Sequence, residues 1–307
     1  MSVTPSSLWA TRGAYMAYVE VEGVRVHYVE HGAAGPGVRT VVLVHGFPVD
    51  HRIMVGAFEP VFADRPGWRR LYVDLPGMGR TTAPDVASTD DVFRILRGAV
   101  AALVPEGPYA VVGQSYGGYL ARGLAAADPE RVAGLAAVVT VVEPRHELRR
   151  LPERQVLVRD PALAERVGAE ALEAEEILVV QTDETWRRMR QDIDPGLAAA
   201  DPVVTVRIEA SYEGTFPVEA ASFEKPALIL VGRQDSVTGY RDAWDLVEHY
   251  PRATFAVLDR AGHGLDLEQR GLFEALVGEW LDRVAEADAG AGVRLAVSST
   301  RRRTPAT

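Results

Sequence analysis

Short, uninterrupted apolar runs, each halted abruptly by glycine, proline or an acid, constrain this chain more than any other feature. Residues 40–44 (TVVLV) stop at His45-Gly46, 69–74 (RRLYVD) at Leu75-Pro76-Gly77, and 109–112 (YAVV) at Gly113. Residues 135–142 (LAAVVTVV) stop at Glu143-Pro144, 227–231 (ALILV) at Gly232, and 254–258 (TFAVL) at Asp259. Runs of this length without polar alternation fit strands buried on both faces, as in a parallel sheet. Apolar residues at helical spacing fill the intervals, over 90–104, 116–127, 240–249 and 272–284. Strand and helix in alternation predict an α/β fold, a mostly parallel twisted sheet with helices on both faces. Ahead of it, residues 17–30 alternate polar and apolar around Glu22-Gly23, which predicts a hairpin.

The rhythm breaks between Pro144 and Ser222. Long apolar runs are missing there, charged helical patterns dominate, and Pro152, Pro161, Pro195, Pro202 and Pro217 punctuate the segment. Helices are expected over 162–180 and 184–192. The pattern predicts a helical cap, 144–222, inserted into a core made of 14–143 and 223–286. Residues 287–307 are rich in Gly, Ala, Ser and Thr and are expected to form a disordered tail. Its Arg301-Arg302-Arg303 triplet is read as solvated. Composition narrows the chemistry further. The 307 residues include no cysteine, which excludes a disulfide scaffold, a thiolate metal site and a Cys nucleophile. A net charge of −10 argues against a nucleic-acid partner. No apolar run reaches the ~18 residues of a membrane span, and residues 1–10 lack the charged and apolar regions of a signal peptide, so a cytoplasmic protein is expected.

The sharpest local signal is Gly113-Gln114-Ser115-Tyr116-Gly117-Gly118. It follows a buried run and opens a helix. A serine on such a turn exposes its hydroxyl and sits beside the N–H groups of a helix N-terminus, where negative charge is stabilised. Its plain alternative is a tight turn with a capping serine. Serine becomes a nucleophile only when a base takes its proton. Of the seven histidines, His263 in Ala261-Gly262-His263-Gly264 lies just past the last apolar run, where loops reach the C-terminal edge of a parallel sheet. The imidazole then needs a carboxylate to fix its tautomer. Asp235 follows the preceding run and is the first candidate, with an Asx-turn as its plain reading. Glu143 is the competitor.

The order Ser115, Asp235, His263 is the one found in α/β-hydrolases. Together with His45-Gly46-Phe47-Pro48, Asp74-Leu75-Pro76-Gly77-Met78-Gly79 and Gly232-Arg233-Gln234-Asp235, it makes residues 18–284 resemble that family. Within the family, the His-Gly-Phe-Pro loop and a cap at this insertion point resemble the branch of proline iminopeptidases, haloperoxidase-like esterases and carbon–carbon bond hydrolases. The resemblance implies a cofactor-free, metal-free hydrolase acting on a small molecule. It assigns the oxyanion hole to the backbone N–H groups of Phe47 and Tyr116, with His45 and Gly46 shaping the loop and counted as substrate-binding residues. A serine at 115 departs from the aspartate of dehalogenases and epoxide hydrolases. Tyr116 departs from the tryptophan usual in proline iminopeptidases. Lyase, perhydrolase and carbon–carbon bond chemistry share every one of these motifs, and a ligand-binding protein without turnover shares the fold. In the cap, Trp186 is a candidate for the pocket roof. Arg187, Arg188 and Arg190 could meet an anionic substrate or form an ordinary charged helix face.

Overall fold

A computed structural model describes residues 15–32, 35–168, 171–172 and 177–300, with side chains to residue 288. Its centre is an eight-stranded sheet in the order β1-β2-β4-β3-β5-β6-β9-β10. The strands are β1 (Tyr15–Val21), β2 (Val24–His31), β3 (Arg39–Val44), β4 (Trp68–Val73), β5 (Tyr109–Gln114), β6 (Val132–Val138), β9 (Ala227–Gly232) and β10 (Ala253–Leu258). The first two form the expected hairpin, with Glu22 and Gly23 at φ 50° and 83°, the signs that a tight two-residue turn needs. β2 also pairs antiparallel with β4, and from β4 onward every pairing is parallel.

The apolar runs are continuous because each central strand is covered twice. Val42, Val44 and Val111 point to one layer, built from helices α2 (Thr89–Leu103) and α3 (Tyr116–Ala127). Val41, Leu43 and Val112 point to the other, built from α1 (His51–Phe62) and α10 (Arg270–Thr300). The two-residue period of a strand sends alternate side chains to opposite cores. Among the described residues, no helix is long and apolar enough to cross a membrane.

Between β6 and β9 the chain makes an excursion. It contains a 3-10 turn at His146–Leu148, β7 (Val158–Arg159), α4 (Pro161–Val167), β8 (Val180–Gln181), α5 (Asp183–Asp192), α6 (Asp194–Ala199) and α7 (Pro202–Ala210). Here the expectation of one helix over 162–180 is corrected. α4 ends at Val167 because Gly168 takes φ 90°, and Val180-Gln181 pairs in parallel with Val158-Arg159 as a small second sheet. Other boundaries shift as well. His51 opens α1, a helix absent from the expected set, where the Asp50 carboxylate caps the N–H of Arg52 at 3.0 Å. The helix expected over 240–249 is α8 (Arg241–Trp244) followed by a 3-10 turn at Val247–His249. α10 continues past residue 284 into the expected tail, whose Arg301-Arg302-Arg303 lies outside the described residues.

A buried ion pair fastens the end of the excursion to α3. Arg122 on α3 is 1% exposed and meets both oxygens of Glu219, at 2.6 and 2.7 Å, while also donating to the Val141 carbonyl at 2.7 Å. Tyr250 donates to Glu219 at 2.6 Å. Burial opposes ionisation of Glu219, but Arg122 and Tyr250 hold its carboxyl below the usual range. Removing one partner strands the other charge. Arg122→Ala is therefore expected to cost about 3–5 kcal/mol, read as a lowered urea midpoint with an unchanged slope.

Candidate active site

The site begins with a backbone strain. At the end of β5 the chain turns directly into α3 through Ser115, which holds φ 55° and ψ −118°. Such a conformation is costly for a residue with a side chain, and surrounding contacts must hold it. The Ser115 N–H donates to the Val138 carbonyl of the neighbouring strand at 2.9 Å, and the Ser115 carbonyl accepts from Val141 at 3.0 Å. The flanking glycines are required by close approach. A Cβ on Gly113 would strike the Gly117 carbonyl, and one on Gly117 would strike the carbonyls of Val44 and His45. The turn thus packs α3 against β3 and lifts the serine hydroxyl to the sheet's C-terminal edge.

Two later loops bring their side chains to the same edge. His263, past β10, places Nε2 3.0 Å from Ser115 Oγ and Nδ1 3.0 Å from Asp235 Oδ2. Asp235, past β9, is fully buried. Its Oδ1 accepts from the N–H groups of Val237 (2.8 Å) and Thr238 (3.0 Å), and the Thr238 hydroxyl donates to Oδ2 at 2.7 Å. One carboxylate therefore makes the Asx-turn with one oxygen and meets the histidine with the other. Burial alone would raise the Asp235 pKa, but the His263 charge and the hydrogen bonds from His263 and Thr238 hold it below the ordinary value. Glu143, the competing acid, lies elsewhere and pairs with Arg145 at 2.9 Å.

The loop after β3 passes directly by the serine. The space at Gly46 is bounded by the Gln114 side chain and by Ser115 Cβ, 3.1 Å from a Cβ built there. Among the described residues, no hydrogen bond engages the N–H of Phe47 or of Tyr116. The Phe47 ring packs edge-on against Tyr116 (5.7 Å) and Tyr212 (5.8 Å), so the excursion after β6 contributes an aromatic wall. His45 does not offer its ring to a substrate. It is fully buried, with Nδ1 on the Gly46 carbonyl (2.7 Å) and Nε2 accepting the Leu75 N–H (3.0 Å). Burial, the largest influence, lowers its pKa and favours the neutral ring that this arrangement needs. It shapes the loop.

Below that loop, Asp74, which the sequence offered only as the start of a motif with no role assigned, is a hub. Its Oδ1 accepts from the His51 N–H (2.9 Å) and Nδ1 (2.8 Å), and its Oδ2 from His27 Nδ1 (2.7 Å) and the Arg80 N–H (3.0 Å). Burial raises its pKa, yet the two imidazoles hold it well below the carboxylate range. His27, His51 and Asp74 also form the one cluster of metal-ligand type among the described residues. Four N–H donors already occupy the carboxylate, so the cluster fits a hydrogen-bonding hub for the 45–51 loop better than an ion site.

Trp186 on α5 is half-buried against the α1–α10 layer and carries the Arg190 guanidinium 4.2 Å from its ring centre. The hydrogen bonds and ring contacts of the described residues do not join it to the serine. The neighbouring arginines are also engaged within the protein. Arg188 is buried, donating to the carbonyls of Asp266 (2.9 Å) and Gly56 (3.3 Å), while Arg190 pairs with Asp194 and Arg187 with Gln191. Asp192, 3.7 Å from Arg188, has its carboxyl pushed up to about 6 by burial. Thr238, Tyr212 and Glu268 complete the surroundings. Only Thr238 had a readable signal, its place three residues after an Asx-turn aspartate.

Comparison with known proteins gives the same picture at the level of family. A hydrolase of 2-hydroxy-6-oxononadienedioate and 2-hydroxy-6-oxononatrienedioate from Paraburkholderia phymatum is 29% identical over 293 residues, spanning 88% of this chain and 97% of that protein. Among solved structures, an alpha/beta superfamily hydrolase from Oenococcus oeni superposes with a TM-score of 0.77 at 24% identity, covering 84% of this chain and 96% of the other. A thermophilic esterase from Thermogutta terrifontis superposes with a TM-score of 0.59 at 25% identity, covering 88% and 98%. The family model described as alpha/beta hydrolase fold matches residues 39–268. With a mostly parallel sheet, a strained serine turn and that match over most of its length, this chain belongs to the α/β-hydrolase fold family.

Proposed function

We propose that the chain is a serine hydrolase that cleaves an acyl bond of a small molecule through an acyl-enzyme on Ser115. The observation that carries this reading is the continuous path from Asp235 Oδ2 to His263 Nδ1, and from His263 Nε2 to Ser115 Oγ, with 3.0 Å at each step. In this reading His263 Nε2 takes the hydroxyl proton as Oγ attacks the carbonyl carbon. The N–H groups of Phe47 and Tyr116 hold the oxyanion, and each donor of this kind contributes about 3 kcal/mol to the transition state. As the tetrahedral intermediate collapses, the imidazolium returns the proton to the leaving group, and Ser115 is left acylated. His263 then deprotonates a water, which attacks the acyl-enzyme, and on collapse the imidazolium returns that proton to Ser115 Oγ as the acid leaves. Asp235 keeps the proton on Nδ1 and stabilises the imidazolium. The excursion 144–222 acts as a cap over this edge, and Tyr212 lines the acyl side.

One observation favours a second reading. The Paraburkholderia relative is named for an oxo-dienedioate, a compound without an ester, in which hydrolysis must break a carbon–carbon bond. The same serine, histidine and oxyanion groups could perform that cleavage. A screen of esters of graded chain length, thioesters, lactones, amides and vinylogous diketones, with Ser115→Ala as control, separates the two. Release of a carboxylic acid together with an alcohol, thiol or amine, or of a hydroxy acid from a lactone, supports the acyl reading. Exclusive turnover of the diketone, yielding two carbon fragments, replaces it with the second.

A further inference from the structure

His263 sits between two glycines, a context that by itself leaves its backbone loose. Its hydrogen bonds to Ser115 and Asp235 nevertheless need a fixed geometry, since a misplacement of about 1 Å can cost up to 10²-fold in rate. What fixes the loop comes from the chain just after it. Glu268 ends the short helix α9 (Leu265–Glu268), and its carboxylate faces two segments at once. Oε2 accepts the N–H of Gly262, the residue before His263, at 2.6 Å. Oε1 accepts the N–H of Val180 in β8 at 2.9 Å, and that of Val179 beside it. On the other flank of the histidine, the Gly264 N–H donates to the Ile177 carbonyl at 3.1 Å. The His263 loop is thus laced on both sides to the 177–180 stretch of the excursion.

We propose that Glu268 is a positioning residue for His263, bridging the Gly262 N–H to the β8 N–H groups so that the seating of β8 sets where the imidazole stands. The proposal rests on the role given to His263 above. A carboxylate is required because every partner is a donor. Glutamine keeps a single acceptor oxygen and turns an NH2 group against an N–H on one side of the bridge. Burial pushes the Glu268 carboxyl up to about 7 even though the three N–H groups favour its charged form, so the bridge is maintained against a desolvation cost.

The test compares Glu268→Gln and Glu268→Ala with Arg69→Met in the full chain. Arg69 makes a bidentate pair with Glu30, at 2.8 Å for each bond, joining β4 to β2 away from the site. For each variant kcat, KM, melting temperature and the rate of Ser115 labelling by a fluorophosphonate are measured. The Glu268 variants are expected to lose kcat by about tenfold or more, with labelling slowed in parallel and KM within about twofold. Arg69→Met is expected to lower the melting temperature and leave kcat unchanged. If Glu268→Ala does not fold, the isosteric Glu268→Gln decides. Glu268 variants that melt earlier but keep kcat and labelling within twofold of wild type overturn the proposal. His263→Ala separates this failure from that of the underlying reading. An active His263→Ala removes the role of His263 itself, whereas an inactive one beside fully active Glu268 variants removes only the positioning.

Discussion

Ser115→Ala is expected to lower kcat for any ester the wild type cleaves by about 10⁶-fold, while KM changes little. The variant isolates the hydroxyl cleanly. Alanine keeps the Cβ, so the strained φ of 55° is neither relieved nor worsened. The backbone hydrogen bonds of residue 115, to Val138 and from Val141, do not involve the side chain. The one side-chain hydrogen bond lost is that to His263 Nε2. The folded structure and its melting temperature should therefore persist while covalent catalysis is lost. Residual turnover of 10³–10⁴ over water would reflect the oxyanion donors and binding alone. Progress curves with purified variant, checked against a denatured control, measure this.

Asp235→Asn should come second, with kcat reduced by about 10⁴-fold. The reason lies in the donors around the carboxylate. Oδ1 faces the N–H groups of Val237 and Thr238, which cannot reverse their roles. The asparagine oxygen must therefore occupy that side. Its NH2 group then faces His263 Nδ1 and the Thr238 hydroxyl, which can turn to the Val139 carbonyl 3.0 Å away. Nδ1 becomes an acceptor, the ring proton moves to Nε2, and Nε2 can no longer receive the serine proton. The loss should appear in kcat with the fold intact, since the Asx-turn keeps its acceptor. Asp235→Ala, which also destroys that turn, should in addition lower the melting temperature.

How far the sequence alone could be read follows from where the information is local. The sheet was legible because each buried strand is a continuous apolar run, and a run covered on both faces has no polar alternation to hide it. Ser115 was legible because a strand, a strained turn and a helix occupy neighbouring positions, and because Gly113 and Gly117 are demanded by contacts a few residues away. His263 and Asp235 were legible as loop residues after successive strands, which a parallel sheet brings to one edge. Other features depended on distant partners. α1 escaped notice because Gly56 and Pro60 punctuate it, and its capping by Asp50 resembles a loop signal. The stretch 162–180 reads as a helix by composition, yet Gly168 stops it and β7 recruits Val180 into a strand. His45 looked like a substrate ligand because the sequence cannot show that Gly46 and Leu75 occupy both ring nitrogens. Asp74 gathers two backbone N–H groups and the rings of His27 and His51, which lie 47 and 23 residues away, and Glu268 acts through backbone N–H groups alone, so neither role leaves a local trace in the sequence. The substrate was not legible, because fold and triad order are shared by unrelated activities and selectivity is set by tertiary packing rather than by motif.

The account stands or falls on whether Ser115 is an activated nucleophile. The direct measurement is reaction of the folded protein with a fluorophosphonate, followed by intact-mass analysis and peptide mapping, for wild type, Ser115→Ala and His263→Ala. A single adduct on Ser115 is expected in the wild type, none in Ser115→Ala, and labelling slowed at least a thousandfold or so in His263→Ala. Folded wild-type protein that takes no adduct, or that is labelled equally when Ser115 is alanine, would contradict the account and leave a ligand-binding protein on a hydrolase fold.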